Sequence, residues 1–171
     1  SYFLPHFASS NILVSGTIGD HGLTILAQRE GLRFSTPVVS DCAPLHEIGQ
    51  ALQPFGEQVH CMRDPTRGGL ATVLNELAAQ AGLGMYIDEE KIPVLNAVRG
   101  ACEMLGMDPL YMANEGKMVI ICAPQVSQQV LMIFRLGQTL DQSPAVVRFD
   151  LQQGDVGSRN AFESVKQRRP G

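Results

Sequence analysis

Glycine and ionisable residues meet at three places in this chain, and each is suited to handling a phosphate or a proton. The first runs from Arg63 to Leu70 (RDPTRGGL). Pro65 pushes Asp64 out of the α region, so Asp64 ends an extended segment. Thr66 is predicted to cap the helix that follows. Gly68 and Gly69 cost roughly 1 kcal/mol each in a first turn. That cost makes sense where an anion approaches the backbone N–H groups of a helix N-terminus. Arg63 and Arg67 add charge-assisted contacts to phosphate oxygens. The alternative is an ordinary Asp-Pro turn with a surface arginine.

The second place is the glycine-spaced loop from Gly16 to Gly22, which carries Asp20 and His21. Its GxxGxxG spacing is not the GxGxxG of a dinucleotide-binding βαβ unit. His21 is a candidate ligand or acid–base group, and a structural histidine is the alternative. The third place is the run Ala113 to Lys117 (ANEGK). A phosphate-binding P-loop is excluded, because Met118 is neither Ser nor Thr and Tyr111 stands where the first glycine belongs. What remains is a carboxylate and an amine two residues apart at a strand entrance, where strand spacing puts Glu115 and Lys117 on one face. Beside an apolar strand, Glu115 is suited to proton transfer near neutrality. An exposed turn with a weak ion pair is the alternative.

The elements that position these segments follow from periodicity. Ile12–Val14 reads as a buried strand ending at Gly16. A helix over Leu23–Glu30 closes at Gly31, and Pro44–Gln53 is a second short helix. Val59–Met62 is a strand. Arg67–Ala81 is the clearest helix, with Leu70, Leu74, Leu77 and Ala81 at i, i+4, i+7 and i+11 and Gly82 as its stop. Gly84–Ile87 is a strand, and Pro93 opens a helix running to about Met104. Met118–Cys122 is an uninterrupted apolar strand, buried on both faces. A helix over Gln125–Phe134 and a strand over Ala145–Phe149 follow. Strands and helices alternate, which favours layered α and β structure over an all-α or all-β fold. Residues 1–150 are expected to form one domain. Residues 151–171 are polar and without periodicity, and are expected to be an irregular tail.

Composition narrows the function. The chain has 171 residues, 44% apolar and 18% charged, the balance of a folded globular protein. A net charge of −4 argues against nucleic acid as a partner. The only basic cluster, Lys166, Arg168 and Arg169, reads as a solvated tail. The four cysteines are Cys42, Cys61, Cys102 and Cys122, with no CxxC pair and no His at zinc-finger spacing, so no metal site is expected. They read as small buried apolar residues in a reducing cytoplasm. No secretion signal is seen. The longest uncharged stretch, Met118–Phe134, contains Pro124 and glutamines and is not a membrane span.

The order and spacing of three segments, Val14–Gly22, Arg63–Leu70 and Ala113–Lys117, resemble the C-terminal domain of the HypE family, the carbamoyl dehydratases of nickel–iron hydrogenase maturation. The match covers about residues 10–136. The Asp-Pro-Thr-Arg-Gly-Gly stretch is similar to loops of aminoimidazole ribotide (AIR) synthase and selenophosphate synthetase, the wider AIR synthase-related (PurM-like) superfamily. The resemblance implies an α+β fold of three layers, α/β/α, with a mixed sheet. It implies ATP-dependent dehydration of a cysteine S-carboxamide to a thiocyanate, the source of the cyanide ligands of the hydrogenase iron. By that resemblance Glu115, Lys117 and His21 are the catalytic candidates. Asp64, Thr66, Arg67, Gly68, Gly69, Asp20 and Asn114 are the candidates for contact with ATP, with Mg2+ expected. The implied partners are a HypF-type carbamoyl transferase, the HypC–HypD scaffold and a second copy in a homodimer, in the cytoplasm.

The chain departs from that pattern. Members of the family carry an N-terminal domain with most of the nucleotide contacts, and end in a flexible tail whose last residue is the acceptor cysteine. Here no cysteine follows Cys122, and residues after about Leu136 do not look like the family. The fragment alone is therefore expected to be folded but inactive. Two other readings stand beside the first. One is an ATP-using relative of selenophosphate synthetase or aminoimidazole ribotide synthetase type. The other is a non-catalytic dimerisation or docking module.

Overall fold

The computed structural model describes residues 10–34, 36, 38–82, 85–136, 145–147 and 165–168. Four short strands form an antiparallel sheet in the order β2-β4-β1-β5, where β1 is Asn11–Val14, β2 Val59–Arg63, β4 Val119–Cys122 and β5 Ala145–Val147. The alternation of side chains along β1 and β4 splits the apolar residues between two faces. Ile12, Val14, Val119 and Ile121 point to one side. There they meet Leu70, Val73, Leu74, Leu77 and Ala78 of helix α3 (Gly69–Ala81). Leu13, Ile120 and Cys122 point to the other. There they meet Val130 and Phe134 of α5 (Ser127–Leu136) and Leu52 of α2 (His46–Leu52).

The sheet is thus the middle of three layers, and all four β4 residues are buried, as an uninterrupted apolar run requires. Each buried aliphatic side chain contributes about 2 kcal/mol of burial free energy. A third cluster joins Leu23 of α1 (Asp20–Glu30) to Val98 and Cys102 of α4 (Asn96–Leu105).

The α+β class and the three layers match the sequence reading; the mixed sheet does not, because parallel and antiparallel pairings fall in separate sheets among the described residues. Among the described residues, every pairing in the four-stranded sheet is antiparallel. The one parallel pairing lies in a separate sheet, between β3 (Met85–Asp88) and β6 (Val165–Arg168). Strand β6 falls inside the segment read as an irregular tail, and it carries Lys166 and Arg168 of the basic cluster. Backbone pairing needs no hydrophobic period, so the sequence pattern was silent there. The rest of 148–164 and 169–171, with Phe149 and Arg169, lies outside the described residues. Among the described residues no helix is long and apolar enough to cross a membrane. The four cysteines are free; Cys102 and Cys122 are buried and Cys61 half-buried, but Cys42 is exposed, against the expectation that all four fill the core.

Strand register decides where the three candidate segments go. Val14, the last residue of β1, pairs with Val119, the first of β4. Val119 pairs on its other side with Arg63, the last residue of β2. The chain leaving β1, the chain leaving β2 and the chain entering β4 therefore share one edge of the sheet. Those are the segments 15–22, 64–69 and 113–118.

Helix α3 starts later than the sequence suggested, and its start is a packing feature. The N-cap is Gly68 with no side-chain cap bond, so Thr66 does not play the capping role assigned to it. Gly68 and Gly69 both have positive φ, 71° and 67°. A side chain on Gly69 would stand 2.6 Å from the Met112 carbonyl oxygen, with the Leu110 oxygen closer still. The helix thus enters flush against the backbone of 110–112, and only glycine permits that. This accounts for Gly69 without an anion. Gly82, at the other end of α3, shares the left-handed backbone (φ 66°), but among the described residues a Cβ there would meet nothing within 4 Å. We expect Gly82→Ala to cost about 1 kcal/mol, the left-handed penalty alone. Gly69→Ala should cost about 3 kcal/mol or more, because the clash adds to it. Urea unfolding of both variants checks this, and equal losses would contradict the packing account.

Candidate functional site

One buried side chain ties the shared edge together. Asn114 is 1% exposed. Its Oδ1 accepts from the Gly19 N–H at 2.7 Å. Its Nδ2 donates to the carbonyls of Met112 at 2.9 Å and Pro65 at 3.3 Å. Its own N–H donates to the Pro65 carbonyl at 3.1 Å, and the Gly22 N–H donates to the Ala113 carbonyl at 2.9 Å. Ser15 and Met118 extend the β1–β4 ladder by one step, through Ser15 N–H to the Met118 carbonyl at 3.0 Å and Met118 N–H to the Ser15 hydroxyl at 2.9 Å. Three segments far apart in sequence become one polar unit. Asn114 was expected among the nucleotide contacts. Both of its amide hydrogens are instead spent on protein carbonyls, so its visible work is to join the loops.

Gly22 shows how tight the join is, since a Cβ there would lie 2.9 Å from the Ala113 backbone N and O. Gly19 takes φ 89° as the N-cap of α1, which therefore begins three residues before the predicted Leu23. Asp20 and His21 sit in its first turn. The His21 Nδ1 lies 2.8 Å from the Ser40 hydroxyl, and Thr24 donates to the carbonyls of Asp20 at 2.8 Å and Val38 at 3.3 Å. These contacts fasten residues 38–40, a stretch without helix or strand, along α1.

Beneath the unit lies a buried charge cluster that the sequence did not reveal. The Lys117 ammonium sits 2.7 Å from Asp41 Oδ2, with side chains 1% and 2% exposed. The contact is a close ion pair rather than an aligned hydrogen bond, and among the described residues Oδ1 of Asp41 and of Asp20 have no hydrogen-bond partner. Asp20, 1% exposed, accepts from the Thr17 hydroxyl. Burial pushes the Asp20 carboxyl above the ordinary carboxylate range, opposed by the Thr17 bond and assisted by the charge of Asp41 beside it, with Lys117 pulling it back. Lys117, a catalytic candidate by the family resemblance, is thus paired with Asp41. Gly116 between them has φ 70°, so the two side chains do not share a strand face. Asp41 went unseen because a Gly-Lys pair before a strand reads as a surface turn, and nothing in the spacing says that the lysine is buried.

The other candidates line the outside of this unit. Glu115 is half-buried, and its side chain makes no hydrogen bond or ion pair among the described residues. Asp64, Arg67 and Gly68 are exposed and Thr66 half-buried. Arg63, read as a phosphate contact, pairs with Glu76 of α3 at 2.9 Å on the surface. The described residues hold no group of three or more His, Cys, Asp or Glu able to bind a metal.

The chain is similar to known proteins over the part that contains this site. The model of the family described as AIR synthase related protein, C-terminal domain, matches residues 10–140. The carbamoyl dehydratase HypE of Cupriavidus necator is 52% identical over 124 residues, 72% of this chain and 35% of the relative. The chain thus spans about a third of the length of the curated relatives it matches. A HypE chain in a crystal structure of a HypE–HypF complex superposes with a TM-score of 0.80 at 39% identity, over 85% of this chain and 48% of that one. HypE crystallised in complex with ATP gives 0.74 at 41% identity, over 83% and 42%.

Two outcomes test the polar unit. Asn114→Ala strands the Gly19 N–H and leaves two carbonyls with fewer donors. It should cost about 3 kcal/mol in chemical unfolding, and a loss below about 1 kcal/mol would contradict the joining role. For Asp20 the sign follows from its raised pKa. The folded state holds a proton that the unfolded state releases, so stability falls as pH rises above the ordinary carboxylate range. Asp20→Asn removes that dependence. Its melting temperature should match the parent at pH values below the ordinary carboxylate range and exceed it once the pH rises above that range.

Proposed function

The chain belongs to the AIR synthase related family, through a C-terminal domain matched over residues 10–140, and from that premise we propose that it is the C-terminal domain of an ATP-dependent carbamoyl dehydratase. The observation that carries this reading is the convergence of the three family segments on Asn114 at one sheet edge. It occurs in a chain whose 51–52% identical relatives bear that name.

The chemistry asks for two things. A carboxamide oxygen is a poor leaving group, and transfer of the γ-phosphoryl group of ATP to it makes it a good one. A base must then take the protons of the amide nitrogen as the carbon–nitrogen triple bond forms and phosphate departs with the oxygen. Glu115 is the base in this reading, supported by its half-buried carboxylate, which has no partner among the described residues and stands next to Asn114 in sequence. The start of α3 fits a phosphate. Its N-cap makes no side-chain bond, Gly68 is exposed, and Arg67 is exposed beside it. Asp64 and Thr66 flank that turn and are the candidates for the Mg2+ side of the nucleotide. His21 stays a candidate proton carrier next to Ser40.

The partner in this reading is a HypF-type carbamoyl transferase, supported by the crystallised HypE–HypF complex of a 39% identical relative. The HypC–HypD scaffold, a homodimer and a cytoplasmic setting belong to the same reading. The setting is supported by four free cysteines.

The test is a hybrid in which residues 10–136 replace the matching segment of the Cupriavidus necator enzyme. Given carbamoylated acceptor, it should form thiocyanate in an ATP-dependent way. Glu115→Gln in that hybrid should leave ATP affinity within about twofold and lower thiocyanate formation about a hundredfold or more. Undiminished dehydration in the variant would remove Glu115 from the reaction. A well-folded hybrid that hydrolyses ATP but never makes thiocyanate would refute the proposed activity.

A further inference from the structure

We infer that Asp41 is a positioning residue for Glu115, and that the segment Val38–Ala43 is a strap holding the Glu115 loop at a fixed place; the inference rests on the reading of Glu115 as the base. The Glu115 side chain makes no bond of its own among the described residues, so its neighbours set its location. On one side stands Asn114, fixed by its bonds to Gly19, Pro65 and Met112. On the other side both anchors come from the strap. Lys117 meets the Asp41 carboxylate at 2.7 Å. Gly116 lies against the backbone of residues 41–43 so closely that a Cβ would stand 2.7 Å from the Asp41 carbonyl oxygen, with the Ala43 nitrogen nearer still.

The strap has no helix or strand of its own. Its other end is tied to α1, through Thr24 to the Val38 carbonyl and His21 to Ser40. The Glu115 loop is thereby connected to helix α1 by a route independent of Asn114. The choice of groups supports a positional role. A buried ion pair is a poor way to add stability, because desolvating two charges costs about as much as their attraction returns, and an apolar pair of the same size does as well or better. A charge pair does fix register, since losing either partner leaves an uncompensated charge. Asp20 makes the arrangement more demanding still, by placing a second carboxylate with an orphan oxygen beside the first.

The decisive variants are Asp41→Asn and the double variant Asp41→Asn/Lys117→Gln, which neutralises both partners and so keeps the fold if the single change does not. In the 171-residue chain, backbone 15N relaxation reads the loop directly. In either folded variant we expect the order parameters of Glu115 and Gly116 to drop to those of a flexible loop, below about 0.6. Leu74 and Leu77 in α3 should stay near about 0.85. In the hybrid enzyme, the same variants should lower kcat for dehydration about tenfold or more while KM for ATP stays within about twofold. Unchanged relaxation at Glu115 and Gly116 would overturn the inference, as would a loosening equally shared by α3. So would an unchanged kcat in a hybrid whose loop has loosened. If the unsubstituted hybrid makes no thiocyanate, the proposed activity fails, and the relaxation data still decide whether Asp41 positions the loop.

Discussion

The side chain of Asn114 is almost wholly buried, so the bonds it makes are made to protein, and each comes from a different part of the chain. A buried amide left short of partners costs on the order of 1–3 kcal/mol per group. The loops around it must therefore satisfy it together or not at all. That shared requirement gives the edge of the sheet its form. Gly19 presents its N–H from a left-handed turn, Pro65 presents its carbonyl from the turn after β2, and Gly22 packs without a side chain against the peptide of Ala113. The register row Arg63–Val119–Val14 brings these segments to one line, and Asn114 locks them there.

The charge cluster below serves a different end. Lys117, Asp41, Asp20 and Thr17 occupy volume that apolar residues could fill at lower electrostatic cost. The cluster is tied to Glu115 through Gly116 and Lys117, the next two residues, where accuracy of placement matters more than stability. Raising the Asp20 carboxyl is the visible cost of that arrangement. The apolar layers on both faces of the sheet carry the stability that such a site consumes.

Much of the fold was legible in the sequence because it rests on short-range rules. The α3 stripe of Leu70, Leu74, Leu77 and Ala81 is buried as its spacing required, and the continuous apolar run of β4 lies between two helical layers. The order of the three glycine-bearing segments pointed to the family. What stayed hidden depends on contacts between distant residues. Gly69 looked like an opening for an anion, whereas its bare face is filled by the backbone of 110–112. Lys117 looked like an exposed partner of Glu115, whereas it is buried against Asp41, seventy-six positions earlier. Strand β6 carries no apolar period, and its parallel pairing with β3 is a backbone matter.

The central claim is that the three segments form one cooperative unit around Asn114. Native-state hydrogen exchange of the 171-residue chain tests it most directly, because the amides of Gly19, Gly22 and Asn114 are each a named bond in the join. If the claim holds, all three exchange with one common opening free energy, close to that of Leu74 and Leu77 in α3, and all three lose protection together in Asn114→Ala. Independent exchange of the three amides at surface-loop rates, or a loss in the variant confined to Gly19, would contradict it.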